Sequence, residues 1–193
     1  MSKSYRAIRH DIVRKRQAGN CNTAHHPSQK IGQVLNCLKG QRKLRVLELF
    51  AGQGNLTKIY EGFGSVSAYD KKWLKTGDSY RVFHRLIGEG KKYEVVDLDP
   101  YGFPSRFFPD IYLLMDEAVF FVTMPKPSVN ILNGITQAHH ISYFGEPNPS
   151  LDAIIERICS WGLCHWREVA LIDHFSLKSI WRLAFSVKKV KAT

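Results

Sequence analysis

The stretch Leu44-Arg45-Val46-Leu47-Glu48-Leu49-Phe50-Ala51-Gly52-Gln53-Gly54-Asn55 decides the fold. Residues 44–49 form a short, mostly apolar run and read as a strand. Gly52 and Gly54 follow, and without a Cβ they let the backbone turn sharply and come close to another group. A short helix over 56–62 comes next, with its free N–H groups facing the turn near Asn55. Outward from this unit the pattern repeats. Residues 66–69 read as a strand ending at Asp70, and 79–87 as a helix with Tyr80, Phe83 and Leu86 on its apolar side. Residues 93–98 read as a strand and 107–115 as a helix interrupted by Pro109. Residues 118–123 read as a buried strand, because Val119-Phe120-Phe121-Val122 has no polar break. Residues 127–140 read as helix with loop. Residues 150–160 read as a helix with Leu151, Ile154, Ile155 and Ile158 inward. Residues 167–174 and 180–187 close the chain as an antiparallel hairpin. Upstream, Ser28 caps a helix through Leu38 that turns Ile31, Val34, Leu35 and Leu38 to one side, and Gly40 stops it. The alternation predicts an α/β fold: a mostly parallel sheet, helices on both faces, and the hairpin at its C-terminal end. Between Asp70 and Tyr93 only one helix is evident, so a strand there would be short.

The 193 residues suit one domain, and 44% hydrophobic content allows a full core. No apolar run is long enough to span a bilayer, and no apolar segment follows the basic N-terminus. The four cysteines are scattered, which suggests reduced thiols and a cytoplasmic setting. Cys159, Cys164 and His165 lack the spacing of common zinc sites, so no metal is expected. A net charge of +11 points to a polyanionic partner, because Lys and Arg neutralise phosphates and release counterions. Residues 1–27 stand apart as a basic arm, with 28–193 as the folded domain. Arg6, Arg9, Arg14, Lys15 and Arg16 of the arm are candidate phosphate clamps. Lys72 can extend that track and Trp73 can stack on a base.

Two motifs carry the chemistry. In the first, Asp70 ends the strand after the glycine turn, where an acid can accept both hydroxyls of a ribose. The turn lacks the third glycine of a dinucleotide fingerprint, so NAD fits poorly. The second motif is Asp97-Leu98-Asp99-Pro100-Tyr101-Gly102-Phe103-Pro104. Asp97 and Asp99 alternate around Leu98, so both carboxylates point the same way from a strand. Pro100 fixes the turn, Asp99 can accept hydrogen bonds from an exocyclic amine, and Tyr101 can stack on a ring. Methylation of a ring carbon through a thiolate is disfavoured, since no cysteine lies at this turn.

Residues 46–55 followed by Asp70 resemble the cofactor site of class I S-adenosylmethionine-dependent methyltransferases, in which an acid and a short apolar pair precede Gly-x-Gly. The resemblance covers about residues 30–188 and implies a Rossmann-like fold. It implies that Glu48, Phe50, Ala51, Gly52, Gly54 and Asn55 hold the methionine end of S-adenosylmethionine. It further implies Asp70 and Lys71 at the ribose, Asp78 near the adenine, and Asp97 beside the cofactor. The second motif resembles the Asp-Pro-Pro-aromatic signature of amino-methyltransferases acting on DNA. It is nearer to tRNA guanine-N2 dimethyltransferases, which carry Asp-Pro-aromatic-Gly, a small residue and Pro; this chain departs at Phe103. Asp99, Pro100, Tyr101 and Gly102 are thereby the expected catalytic residues, and a nucleobase amine in RNA or DNA the expected acceptor. A protein partner supplying target recognition is also expected, since the chain is shorter than those enzymes. The alternatives are a non-catalytic nucleic-acid-binding subunit on the same fold, or a methyltransferase for proteins or small molecules.

Overall fold

The structure, a computed structural model, describes residues 27–100, 102–127 and 135–190. The arm with Arg6, Arg9, Arg14, Lys15 and Arg16 lies outside the described residues, as does Tyr101.

Strand β1 (Leu44–Leu49) pairs in parallel with β2 (Gly64–Tyr69) on one side and β3 (Val95–Leu98) on the other. Strand β4 (Glu117–Pro125) is parallel to β3. The hairpin β5 (Arg167–Ser176) and β6 (Ile180–Lys189) joins antiparallel, with β6 against β4. The order is β2-β1-β3-β4-β6-β5. The chain builds outward from β1 to β2, then crosses back to place β3 on the other flank. A crevice opens at such a switch point, outside the carboxyl ends of β1 and β3. Both sequence motifs sit at those two ends. Among the described residues no strand forms between Asp70 and Tyr93, so β2 is the outer edge.

Helices cover both faces, as the alternation predicts. Helices α1 (Pro27–Cys37) and α2 (Asn55–Tyr60) pack Val34, Leu38, Leu56 and Tyr60 against Val46, Val95, Val119, Phe121 and Ala184. On the other face lie α3 (Ser79–Gly88), α5 (Leu151–Cys164) and two 3-10 turns. They bury Phe83, Phe108, Tyr112 and Ile158 against Leu47, Leu98, Phe120 and Phe185. Helix α4 (Ile135–Phe144) follows β4, and Ser150 caps α5 by accepting from Ala153 N at 3.1 Å.

Two expectations need correction. The helix expected over 107–115 is two 3-10 turns, Ser105–Phe107 and Ile111–Leu114, on either side of Pro109. Proline cannot donate an i→i−4 bond, and the chain there closes tighter bonds such as Leu113 N to Asp110 O, 2.9 Å. The inward face of α1 is rotated: Leu35 is 48% exposed, while Lys30 and Gln33 are buried beside Val34.

Gly64 is where β1 and β2 are pressed closest. A Cβ there would lie 2.0 Å from the Leu44 carbonyl oxygen and 2.5 Å from its nitrogen. Backbone in a paired strand cannot step aside, so Gly64→Ala is expected to cost about 2 kcal/mol or more. Urea denaturation of the two proteins measures it; equal midpoints would show that the β1–β2 ladder shifts freely.

Candidate active site

The glycine turn is pinned from both sides. Tyr69 O, at the end of β2, accepts from Phe50 N at 2.9 Å and Ala51 N at 3.0 Å. Phe50, Gly52 and Gly54 all have left-handed backbone, with φ of 74°, 57° and 81°. For phenylalanine that conformation costs about 1–3 kcal/mol and persists only where the surroundings enforce it. The edge of its ring packs on Phe107, 5.5 Å between centroids. Gly54 is the N-cap of α2 and offers no capping side chain, so the first N–H groups of Asn55 and its neighbours stay directed at the crevice. A Cβ on Gly52 would meet nothing within 4 Å, so its outer side faces open space.

Asp70 is held rigidly at the end of β2. Its Oδ2 accepts from Gly52 N at 3.1 Å, and its Oδ1 accepts from Lys72 N and Trp73 N, both at 2.8 Å. One carboxylate thus locks the glycine turn to the loop that follows it. Lys71 is exposed in that loop, and the Lys72 ammonium lies 4.6 Å from the Trp73 ring centre. Asp78, expected near an adenine, spends its carboxylate capping α3, accepting from Tyr80 N at 3.1 Å and Arg81 N at 3.3 Å.

Beneath the crevice runs a polar row that follows from strand alternation. Glu48, Asp97, Phe121 and Ala184 align across β1, β3, β4 and β6 on the face of α1 and α2. Two residues further on lie Asp99 and Thr123, with Arg182 opposite Thr123. Arg182 clamps Asp97 with both terminal nitrogens, Nη1 to Oδ1 at 2.9 Å and Nη2 to Oδ2 at 2.6 Å, and both side chains are fully buried. Tyr60 donates its hydroxyl to the same carboxylate at 2.6 Å. Arg182 Nη1 also donates to Thr123 Oγ1 at 3.0 Å and lies 3.9 Å from Asp99 Oδ1. Lys30 reaches in from α1 to donate to Asp99 Oδ2 at 2.5 Å.

The two aspartates therefore differ. Asp97, expected beside the cofactor, has no exposed surface and every oxygen engaged, so it positions the site from below. Asp99 keeps 21% of its side chain exposed at the crevice. Burial pushes the Asp99 carboxyl up, but Arg182 and Lys30 outweigh it and hold the group below the usual carboxylate range. Glu48 goes the other way. Burial foremost, and then Asp97, pushes it up to about 8, against the opposing hydrogen bond from Thr57 Oγ1. At neutral pH Glu48 is mostly protonated, while Asp99 is held ionised by the cations beside it. Glu48 braces the turn from beneath, through Thr57 of α2.

Phe103, the point of departure from the family pattern, has its own task. Its ring stacks on His139 at 5.2 Å, meets His140 edge-on at 4.9 Å and lies 6.0 Å from Phe144, which ties α4 to the Asp99 turn. His140 is fully buried and neither ring nitrogen makes a well-formed hydrogen bond. Burial pulls its pKa down to about 4, against a smaller opposing pull from the Pro125 carbonyl. Gln33 of α1 is buried with both amide atoms unpartnered. Sequence reasoning missed Lys30, Thr57, Tyr60 and Arg182. A signal existed for Arg182, which is the single charged residue in the mostly apolar run 180–187.

No family model matches the sequence, and no curated protein matches it. Solved structures do. Trm1 from Pyrococcus horikoshii, in complex with S-adenosyl-L-methionine, aligns with TM-score 0.62 at 14% identity, over 86% of this chain and 56% of that one. Wild-type Trm5b from Pyrococcus abyssi aligns with TM-score 0.58 at 14% identity, over 83% and 48%. A 1,6-didemethyltoxoflavin-N1-methyltransferase from Burkholderia thailandensis, with 1,6-didemethyltoxoflavin and S-adenosylhomocysteine bound, aligns with TM-score 0.56 at 11% identity, over 98% and 92%. The chain spans about half the length of the two Pyrococcus proteins. It has the Rossmann-like fold of S-adenosylmethionine-dependent methyltransferases.

Arg182→Met would leave the buried Asp97 carboxylate without its cation and is expected to cost about 3–5 kcal/mol, read by chemical denaturation. Glu48 gives a pH signature. Its pKa rises from 4.5 to about 8 on folding, so the folded state holds the extra proton between those values and loses stability as pH climbs through them. Glu48→Gln removes that loss. Its stability relative to wild type should grow from pH 5 to pH 8, by on the order of a few kcal/mol, and then level. A flat difference across that range would show that Glu48 ionises freely.

Proposed function

We propose that the chain is an S-adenosylmethionine-dependent N-methyltransferase acting on an exocyclic amine of a nucleobase in RNA or DNA. The observation that carries this reading is Asp99, an ionised and partly exposed carboxylate across the switch point from the glycine turn. The turn suits the cofactor. Gly52 opens outward, Asp70 is fixed by backbone N–H groups, and the helix start at Asn55 faces the crevice. Phe50 through Asn55 would hold the methionine end and Asp70 the ribose, with Lys71 beside it. Bound S-adenosylmethionine supplies an activated methyl group.

What remains for the chain is aim and charge. An aromatic amine is a weak nucleophile because its lone pair is delocalised into the ring. Asp99, accepting an N–H, favours a pyramidal nitrogen with its lone pair directed at the methyl donor. As the nitrogen gains positive charge, the carboxylate beside it is already ionised and already oriented by Lys30 and Arg182. The lowered pKa makes Asp99 a poor proton store, so the proton leaves to water. Pro100 and Gly102 shape the turn around it, and Tyr101 stacks on the base. The net charge of +11 supports a phosphate-bearing acceptor.

A second reading has its own support. The Burkholderia enzyme, matched over 92% of its length, carries a small heteroaromatic ligand. A free heteroaromatic amine would use Asp99 in the same way, without the basic surface.

Tritiated methyl transfer to total tRNA, rRNA, DNA and free nucleobases tests both. Asp99→Asn should lower transfer by about 100-fold or more, and a fully active variant would remove Asp99 from the chemistry. Asp70→Ala should weaken S-adenosylmethionine binding by about 10–100-fold in calorimetry, and unchanged affinity would sink the ribose assignment. Transfer to free nucleobases alone, insensitive to salt, would select the small-molecule reading.

A further inference from the structure

A second basic stretch lies beyond the glycine turn, in the loop after β2 and in α3. Residues 71–85 carry Lys71, Lys72, Lys75, Arg81 and Arg85 against a single acid, Asp78. The chain as a whole has 28 Lys and Arg to 17 Asp and Glu, so the local excess far exceeds the average. These residues fold around a depression. The 71–78 loop forms one wall with Lys71, Lys75, Thr76 and Gly77, and the outer face of α3 forms the other with Arg81 and Arg85. Val82 and Asp78 complete its lining, and its volume is about 600 Å³.

The charges are built in rather than neutralised. The Asp78 carboxylate is occupied by backbone N–H groups of α3, and Asp70 by those of its own loop. Among the described residues only Arg85 of the four lining cations has an acidic partner, Glu89 at 3.6 Å. Arg81 and Arg85 stand one turn apart on an exposed helix face, a spacing at which two guanidinium forks serve neighbouring phosphates. The opposite flank of the helix is closed by packing, where Tyr80 and Phe83 contact Phe107. Exposed Trp73 beside the same loop offers a ring for an unpaired base.

We propose that this depression binds the phosphodiester backbone of the acceptor strand, with Lys75, Arg81 and Arg85 as its contacts. The inference rests on the nucleic-acid reading above and names where that polymer is gripped. The depression adjoins the loop that Asp70 organises, so a strand held there leads toward the crevice. It would bind RNA and DNA through the same chemistry.

The test compares matched charge reversals by fluorescence anisotropy. The probes are a fluorescein-labelled 20-nucleotide single-stranded RNA and the same sequence as duplex DNA. Arg81→Glu with Arg85→Glu alters the depression. Lys39→Glu with Lys188→Glu makes the same charge change at the other end of the sheet. The first pair should weaken binding about tenfold or more and lower the magnitude of the salt slope by about 1–2, while the second changes affinity only slightly. Arg81→Gln with Arg85→Gln should give an intermediate loss. Calorimetric affinity for S-adenosylmethionine should stay at the wild-type value. Which probe shows the loss identifies the polymer. Equal losses in both reversal pairs would overturn the site in favour of diffuse charge. A simultaneous loss of cofactor binding would overturn it by making the depression part of the cofactor pocket. A wild-type protein that binds neither probe would overturn the nucleic-acid reading as well, whereas tight binding indifferent to Arg81 and Arg85 would overturn the depression alone.

Discussion

The buried pair of Arg182 and Asp97 is the interaction on which the rest of this molecule depends. Neither side chain touches solvent, and each would be costly to bury alone. Together they tie the last strand to the middle of the parallel sheet and fix the register at which Thr123 and Asp99 are presented. Tyr60 adds the second helix to the same point. The arrangement leaves one carboxylate fully satisfied below and one partly exposed above. That asymmetry makes a site out of what would otherwise be a polar flaw in a hydrophobic core. Stability and the presentation of Asp99 are thus drawn from one set of charges.

Much of the architecture was legible in the residue pattern. The parallel order follows from alternation of strand and helix, and the hairpin from two apolar runs around a short turn. The glycine turn and Asp70 were legible because their spacing is local: the acid lies at the end of the very next strand. Lys30 was not, because amphipathic reasoning counts apolar residues, and a lysine reads as solvent-facing. It is turned inward by Asp99, 69 residues further on, a contact that no local window contains. The same holds for Arg182, 85 residues from Asp97. The two 3-10 turns escaped for a different reason. Apolar spacing around Pro109 mimics a helix, and only the missing donor decides against one.

Phe103 shows how a departure from a family pattern acquires meaning. Where a small residue would leave room, this chain places a ring that stacks on His139 and abuts His140. The helix after β4 is thereby bound to the turn that carries Asp99. Both ring nitrogens of His140 lack partners among the described residues, as does the amide of Gln33, one turn along α1 from Lys30. Buried polar groups without partners are rare in folded proteins.

The position of β6 has a consequence for how the protein is made. That strand inserts between β4 and β5, and among the described residues it follows every other strand in sequence. During synthesis the first four strands leave the ribosome before Arg182 exists. Until it arrives, Asp97 has no cation across from it and must stay in contact with water. The parallel half can collapse around its aliphatic residues, but it cannot seal the polar row. Closure of the core and assembly of the site are therefore one event, timed by the arrival of the final strand.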